Sequence, residues 1–231
     1  MKKYIPNCLS IFNLISGLIG TVLALDGQLV LAACAVFTGT IFDFLDGFLA
    51  KLLAAQSLVG KQLDSLADII TFGMVPGCMM YMLIQQYETC KYRPYAALFL
   101  VICSALRLAK FNVDDRQTHH FIGMPTPANA ILIATLPMMI HRAAYPSLVH
   151  FLTQPLVLPL LTIALSYLLV SPITFIAFKV KSIGFSDNKF QYIFIVLSII
   201  LITFIKLEGV FFSICLYIFL SILYTFQKKE K

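Results

Sequence analysis

Four of the 11 acidic residues fall within one short stretch of the sequence, in or beside apolar runs. They are Asp43, Asp46, Asp64 and Asp68. An unpaired carboxylate is costly inside a membrane, so acids in such positions favour a functional role. Only Lys51 and Lys61 lie nearby to offset their repulsion. A divalent cation would offset it, and ligation by oxygen alone favours Mg²⁺, Mn²⁺ or Ca²⁺. A structural ion-pair network is the alternative, but it has few basic partners.

Helical spacing gathers these acids on two faces. At about 100° per residue, one arc of about 100° holds Asp43, Asp46, Gly47 and Ala50. A narrower arc on the next helix holds Gly60, Asp64 and Asp68. A short turn near residues 52–60 makes the two helices antiparallel neighbours, so four carboxylates converge near one end if the arcs face each other. The small residues Gly47, Ala50 and Gly60 would leave room for a ligand, or would serve close helix packing.

The elements that carry these residues are apolar helices. Hydrophobic residues make up 60% of the 231 residues and charged residues 12%, against about 45–50% and 25% in an ordinary soluble domain. This predicts an all-α, polytopic membrane bundle that forms one domain over residues 1–231. Eight spans are predicted, the first of them kept in the mature protein, at 5–25, 28–50, 61–86, 94–111, 125–141, 153–178, 190–206 and 209–226.

Charge between the spans predicts their orientation. The net charge is +6, and the basic residues lie in gaps between apolar runs, which indicates membrane flanks and not nucleic-acid binding. With both termini in the cytosol, thirteen Lys and Arg lie on the cytosolic side and four on the other. The six cysteines have no C-x-x-C spacing and are interpreted as small buried hydrophobes. His119 and His120 are adjacent, which argues against a zinc site.

The acidic stretch resembles the signature of the CDP-alcohol phosphatidyltransferase family, D-x-x-D-G-x-x-A-R-x8-G-x3-D-x3-D. Residues 43–68 match it at every fixed position but one, where Lys51 replaces the usual Arg and keeps the charge without the bidentate fork. The resemblance implies an enzyme that binds a CDP-linked lipid, in which an alcohol attacks the β-phosphorus and CMP leaves. It implies two divalent ions, Mg²⁺ or Mn²⁺, and a homodimer in the cell membrane with its site facing the cytosol.

The resemblance also assigns roles to single residues. The metal ligands would be Asp43, Asp46, Asp64 and Asp68. Asp68 would also be the general base, accepting the proton of the attacking alcohol. Gly47 and Ala50 match positions that make room for cytidine, and the nucleotide site is expected to include Lys51 and Gly60 as well. Asn13 would either face the nucleotide or form an interhelical hydrogen bond.

Four further segments resemble the phosphatidylserine synthase branch of this family. They are residues 5–17, 63–76, 105–113 and 121–128. This predicts L-serine as the acceptor of the phosphatidyl group of CDP-diacylglycerol, with Arg107 or Lys110 holding the serine carboxylate or the lipid phosphate. Snorkelling at the membrane edge is the alternative for both. Asn112 would be a polar site contact or a helix end, and the segment 112–122 an interfacial helix or a substrate loop.

Other functions were weighed against this one. The same reaction with glycerol 3-phosphate or inositol phosphate is the alternative within the family. A cation-coupled transporter would need acids near the bilayer midplane and internal repeats, and an intramembrane aspartyl protease would need a G-x-G-D context. Neither pattern is present. The last two helices, at about 190–226, are expected to be peripheral to the catalytic domain.

Overall fold

The computed structural model describes residues 4–114, 121–176 and 189–229, almost all of them helical. The first five helices are α1 (Tyr4–Leu25), α2 (Leu29–Leu52), α3 (Leu58–Asp68), α4 (Val75–Tyr87) and α5 (Ala97–Val113). A π-helical turn (Ile69–Met74) joins α3 to α4, and a 3₁₀ turn (Arg93–Ala96) precedes α5. The others are α6 (Thr126–Arg142), α7 (Pro146–Leu152), α8 (Val157–Val170), α9 (Lys189–Ile205) and α10 (Leu207–Lys229). Two short strands, β1 (Phe121–Ile122) and β2 (Thr174–Phe175), pair antiparallel.

The first three helices pack tightly enough to fix one another's rotation. Thr71 in the π-helical turn lies against two glycines, and a Cβ added at Gly17 or Gly39 would come within 2.4 Å of its side chain. The Thr71 hydroxyl donates to the Asn13 carbonyl at 3.0 Å. Because only glycine allows this approach, the end of α3 is held against both α1 and α2. These contacts set which faces of α2 and α3 meet.

The described helices have the lengths and surfaces of a membrane protein. Five segments are long and apolar enough to span a bilayer: Tyr4–Leu25, Leu29–Leu52, Leu58–Tyr87, Arg93–Val113 and Leu207–Gln227. Their outward faces carry large apolar side chains, among them Phe12, Phe48 and Phe99, that water would not tolerate in such number. The chain is therefore an integral membrane protein. The side on which each terminus lies stays a prediction.

The predicted count of eight spans is not confirmed, and one predicted span is wrong. Residues 153–178 do not form one helix, because α8 ends at Val170 and β2 follows. Ser171 is extended (ψ 154°) before Pro172, as a residue preceding proline prefers. The helices α7 and α8 are bent by 76° and add a sixth span if they count as one. The helices α6 and α9 exist as predicted but have only 17 residues each.

The last helix packs onto the bundle, and whether it is peripheral to the catalytic domain stays a prediction. It contributes Phe211, Ile214, Tyr217 and Leu220 to the buried core and packs against α6. All six cysteines are free, as expected, but Cys8 and Cys34 are exposed and only Cys78 is buried. His119 and His120 lie outside the described residues.

Candidate active site

Three of the four predicted aspartates meet where α2 faces α3. Asp43, Asp64 and Asp68 each offer one carboxylate oxygen, and these oxygens all lie within 4.8 Å of one another. Asp68 is buried, and the other two are partly buried. Oδ1 of Asp64 is buried and has no hydrogen-bond partner. Among the described residues, no lysine or arginine forms an ion pair with this cluster. Three close carboxylates with no ion-paired lysine or arginine form a donor set that suits a hard divalent ion.

Asp46 does not belong to this cluster, in contrast to the expected convergence of four carboxylates. It is buried, and its Oδ2 accepts a 2.6 Å hydrogen bond from the hydroxyl of Ser10 on α1. It remains close enough to Asp64 to interact with its charge. Sequence analysis did not single out Ser10. The available signal was its spacing from Asn13, since residues three apart lie on one helix face.

Asp68 is held from α1 as well. The Asn13 side-chain amide donates to Asp68 Oδ1 at 3.1 Å, and Asn13 itself is fully buried. Of the two alternatives for Asn13, the structure therefore shows the interhelical hydrogen bond. The π-helical turn begins directly after Asp68, and such turns occur often at functional sites. Asp68 thus has one fixed oxygen and a backbone that is locked against two neighbouring helices.

A cavity of about 650 Å³ opens beside the cluster, at the turn between α2 and α3. We call it the turn cavity. Six of its lining residues are Asp46, Gly47, Ala50, Lys51, Gly60 and Asp64. A Cβ added at Gly47 would meet no atom within 4 Å, so this glycine faces open space. Ala50 lines the same wall one turn along the helix. The small residues were predicted either to leave room for a ligand or to serve close helix packing. At Gly47 the structure shows room for a ligand.

Gly60 has a tighter environment than Gly47. A Cβ there would come within 2.8 Å of Asn7 Oδ1 and 2.9 Å of Ser57 Oγ. Ser57 caps α3, since its hydroxyl accepts from the Gly60 amide at 3.0 Å. Glycine at position 60 therefore allows the close contacts at the start of α3 and also lines the cavity.

The end of α5 is tied to α3 by two polar contacts. The Asn112 side-chain amide donates to Ser65 Oγ at 2.8 Å, and Lys61 Nζ donates to the Asn112 carbonyl at 3.2 Å. Asn112 is thus a polar contact beside the turn cavity and also the penultimate residue of its helix. Lys61 lines that cavity as well, and its bond to α5 places a positive charge at the cavity edge.

Arg107 does not snorkel. It is only 6% exposed, its Nη1 donates to Thr126 Oγ1 at 3.2 Å, and its guanidinium lies 5.0 Å from the centre of the Phe111 ring. Its Nε is buried without a partner. Asp68 and Asp43 are close enough to interact with its charge. A buried guanidinium with an unpaired donor can bind an anion that arrives with a substrate.

A second cavity, of about 580 Å³, lies beside the C-terminal part of α5. Its lining includes Arg107, Lys110, Ile122 and the chain from Leu169 to Pro172. We call it the Arg107 cavity. The exposed Lys110 and the buried Arg107 are one helical turn apart and both line it. Arg107 thus lines this cavity and also lies close enough to Asp68 and Asp43 to interact with their charge.

A comparison with known protein families decides the assignment. Residues 3–169 match the model of the CDP-alcohol phosphatidyltransferase family. The chain belongs to this family. The resemblance drawn from the aspartate spacing is confirmed, and the chain is therefore an enzyme of a phosphotransferase family. The matched range ends at the last residues of α8 and does not include α9 or α10.

Several members of the CDP-alcohol phosphatidyltransferase family are similar over long stretches. A CDP-diacylglycerol–serine O-phosphatidyltransferase of Bacillus subtilis is 36% identical over 77% of this chain and 92% of its own length. One of Helicobacter pylori is 29% identical over 97% of this chain and 95% of its own. An archaetidylserine synthase of Methanothermobacter thermautotrophicus is 32% identical over 57% of this chain and 56% of its own.

The residues present fit the divalent metal that this family uses. The donors are carboxylate oxygens alone, one of them buried and unpartnered at Asp64. Asp43 lies close enough to Asp64 and Asp68 for its carboxyl group to interact with both. The cluster therefore has the composition of a hard-metal centre in the CDP-alcohol phosphatidyltransferase fold.

Proposed function

We propose that this enzyme transfers the phosphatidyl group of CDP-diacylglycerol to the hydroxyl of L-serine, giving phosphatidylserine and CMP. The observation that carries the proposal is the Asp43–Asp64–Asp68 cluster, which lies next to a cavity lined by Gly47. The names of the relatives from Bacillus subtilis and Helicobacter pylori supply the acceptor. No observation favours a different acceptor.

The turn cavity is proposed to hold the cytidine diphosphate end of the lipid. Gly47 and Ala50 leave space for the nucleotide, while Lys51 and Lys61 supply positive charge for its phosphates. The Asp43, Asp64 and Asp68 carboxylates, with Asp46 beside them, would hold the divalent metal. Bound there, the metal would neutralise charge that develops on the attacking and leaving oxygens.

Asp68 is proposed as the general base. The serine hydroxyl oxygen would form a bond to the β-phosphorus, the bond from that phosphorus to the CMP oxygen would break, and the hydroxyl proton would pass to Asp68. Asn13 occupies Asp68 Oδ1, so Oδ2 is the proposed proton acceptor. Asn13 would thereby keep the carboxylate aimed at the attacking group.

Arg107 and Lys110 are proposed to bind the serine carboxylate in the Arg107 cavity. Arg107 can bind an anion, because its direct contacts, Thr126 and Phe111, are neutral and its buried Nε has no hydrogen-bond partner. An acceptor held there would lie beside Arg107, whose charge also interacts with Asp68 and Asp43. We also propose a homodimer in the cytoplasmic membrane, as the family resemblance implies. The charge bias of the sequence supports a site on the cytosolic face.

An acceptor competition assay tests the function. Purified protein in detergent micelles receives CDP-diacylglycerol, Mg²⁺ or Mn²⁺, and one of serine, glycerol 3-phosphate or inositol phosphate. CMP release with serine alone, lost on chelation, is the expected result. Release with another alcohol only would keep the reaction class and overturn the serine assignment. No release with any alcohol from folded protein would overturn the proposal as a whole.

Filling the turn cavity should weaken binding of the nucleotide lipid and leave serine binding unchanged. Gly47→Leu places a side chain into the open space beside Gly47, so the KM for CDP-diacylglycerol should rise at least about tenfold. The change favours helix formation by up to about 1 kcal/mol, so loss of folding would not explain the effect. Gly47→Ala is the graded control, with an effect of about threefold or less. Equal KM values for Gly47→Leu and the native enzyme would place the nucleotide elsewhere.

Removing the buried guanidinium should affect the acceptor selectively. Arg107→Ala should raise the KM for serine about 10- to 100-fold, since a hydrogen bond to a charged group contributes about 1.5–3 kcal/mol. The KM for CDP-diacylglycerol should change less than about threefold. Arg93→Ala is the control, because Arg93 pairs with Glu88 at the start of the fourth span. Equal increases in both KM values would move Arg107 to the lipid phosphate.

A further inference from the structure

One face of α10 carries three hydroxyl side chains that bind the same short piece of backbone. They are Tyr217, Ser221 and Thr225, spaced four residues apart, and we call them the hydroxyl ladder. The Thr225 hydroxyl accepts from the Thr174 amide and lies 3.0 Å from the Thr174 carbonyl. Ser221 Oγ accepts from the Ile176 amide at 3.3 Å, and the Tyr217 hydroxyl donates to the Ile176 carbonyl at 3.0 Å.

Two of the three ladder residues are buried, and Thr225 is partly buried. Ser221 is fully buried and Tyr217 is 4% exposed, so both hydroxyls need the hydrogen-bond partners that they have. The Tyr217 ring also packs against Phe175 and Phe194 at 5.6 and 5.5 Å between ring centres. Helix packing alone would be served by apolar side chains, whereas three successive hydroxyls fix the position of β2 and the residue after it.

What the ladder fixes is one wall of the Arg107 cavity. The residues directly before β2, Ser171 and Pro172, line that cavity together with Leu169 and Val170. The strand β2 pairs with β1, whose Ile122 lines the cavity too. The position of β2 therefore affects two parts of the cavity lining, the segment that precedes β2 and Ile122 on β1.

The same strand pair leads to the partner of Arg107. Behind β1, Gly123 has φ +82°, and a Cβ there would come within 2.3 Å of the Leu169 carbonyl. The Gly123 and Met124 amides donate to the carbonyls of Ile173 and Leu168 at 2.9 Å each. Three residues after Gly123, Thr126 accepts the hydrogen bond from Arg107. The Tyr217 hydroxyl is itself close enough to Arg107 to interact with its charge.

We propose that α10 is a working part of the acceptor site, in which Tyr217, Ser221 and Thr225 are positioning residues that hold the β1–β2 pair and thereby set Arg107 and the wall of its cavity. This inference rests on the proposed function of the Arg107 cavity. It assigns a role to a helix that lies outside the matched family range. The three side chains touch backbone and not substrate, so they act through Arg107.

Removing the ladder hydroxyls should weaken binding of the acceptor and leave binding of the nucleotide lipid unchanged. Thr225→Val keeps the shape of the side chain and removes the hydroxyl, and Tyr217→Phe does the same at the other end. Combined, they should raise the KM for serine about tenfold, with the KM for CDP-diacylglycerol within about twofold of the native value. The single variant Thr225→Ser, which keeps a hydroxyl at this position, should have the native KM for serine.

The control makes the same chemical change where no ladder exists. Thr203→Val on α9 removes a hydroxyl that is exposed and bonds only to the Ile199 carbonyl of its own helix, so all kinetic constants should stay native. Equal increases in both KM values, or a fall in kcat alone, would reduce the ladder to a packing role and overturn the inference. Unchanged constants in the double variant would overturn it too.

Hydrogen exchange gives a readout independent of activity. In the double variant, the Gly123 amide should exchange faster, because its acceptor, the Ile173 carbonyl, directly precedes the segment that the ladder fixes. Unchanged exchange there would overturn the inference even if the variant loses activity or folds poorly. Failure of the proposed function would appear differently, as absence of serine-dependent CMP release in the native enzyme.

Discussion

Asp68→Asn should reduce CMP release in the presence of serine by at least about 10³-fold while nucleotide binding persists. The amide keeps the shape of the side chain and its place beside Asn13, but it can no longer accept the hydroxyl proton. General-base catalysis alone is worth about 10²–10⁴-fold, and the substitution also removes one charge from the cluster of three carboxylates. The measurement is single-turnover CMP release, with CDP binding followed by calorimetry.

A matched control separates this effect from a general loss of charge. Asp26 is exposed in the turn between α1 and α2, and Asp26→Asn makes the same chemical change far from the cluster. It should leave turnover native. Asn13→Ala should fall between the two, at about tenfold loss, since it frees the Asp68 carboxylate without removing it. Turnover of Asp68→Asn within about threefold of native would reject Asp68 as the base.

The convergence of the cluster was predictable because it needs only local rules. Asp64 and Asp68 share a face through the 3.6-residue period of one helix, and Asp43 reaches them because a short turn makes α2 and α3 antiparallel. The rotation of each helix about its own axis was not predictable. It depends on tertiary contacts such as Gly39 against Thr71, so the spacing of Ser10 and Asn13 could place Ser10 on the same face of α1 but could not identify Asp46 as its partner.

Hydropathy also overstated the length of the sixth predicted span. An apolar composition continues past Val170, yet Pro172 holds Ser171 extended and the chain turns into β2. Composition over a 20-residue window cannot register one residue that ends a helix. The proline was visible in the sequence, and it could have been weighted as a boundary.

The hydroxyl contacts of α10 were not predicted, for a different reason. Its hydroxyls at positions 217, 221 and 225 follow a helical period, but apolar residues surround them and dominate the pattern. Small polar side chains on one face of an apolar helix indicate an interhelical or backbone contact. Their partners on residues 174–176 lie some 40 to 50 residues away in the chain, where no sequence period connects them.

Removing a carboxylate from the cluster should weaken metal binding and lower activity together. Asp43→Ala and Asp64→Ala each delete an oxygen donor from a set that lies within 4.8 Å. Loss of one ligand should raise the Mn²⁺ concentration for half-maximal activity at least about tenfold and lower turnover about 10²-fold or more. Free Mn²⁺, followed by electron paramagnetic resonance, measures binding without turnover.

The direction of any stability change distinguishes a metal centre from a purely structural cluster. Without metal, three carboxylates so close together repel one another, so Asp43→Asn should stabilise the metal-free protein against thermal unfolding. With saturating Mn²⁺ the order should reverse, because a ligand that binds only the folded state stabilises it by mass action. If the native protein were more stable than Asp43→Asn in the presence of a chelator and gained nothing from Mn²⁺, the aspartates would be structural and the metal-centred proposal would be wrong.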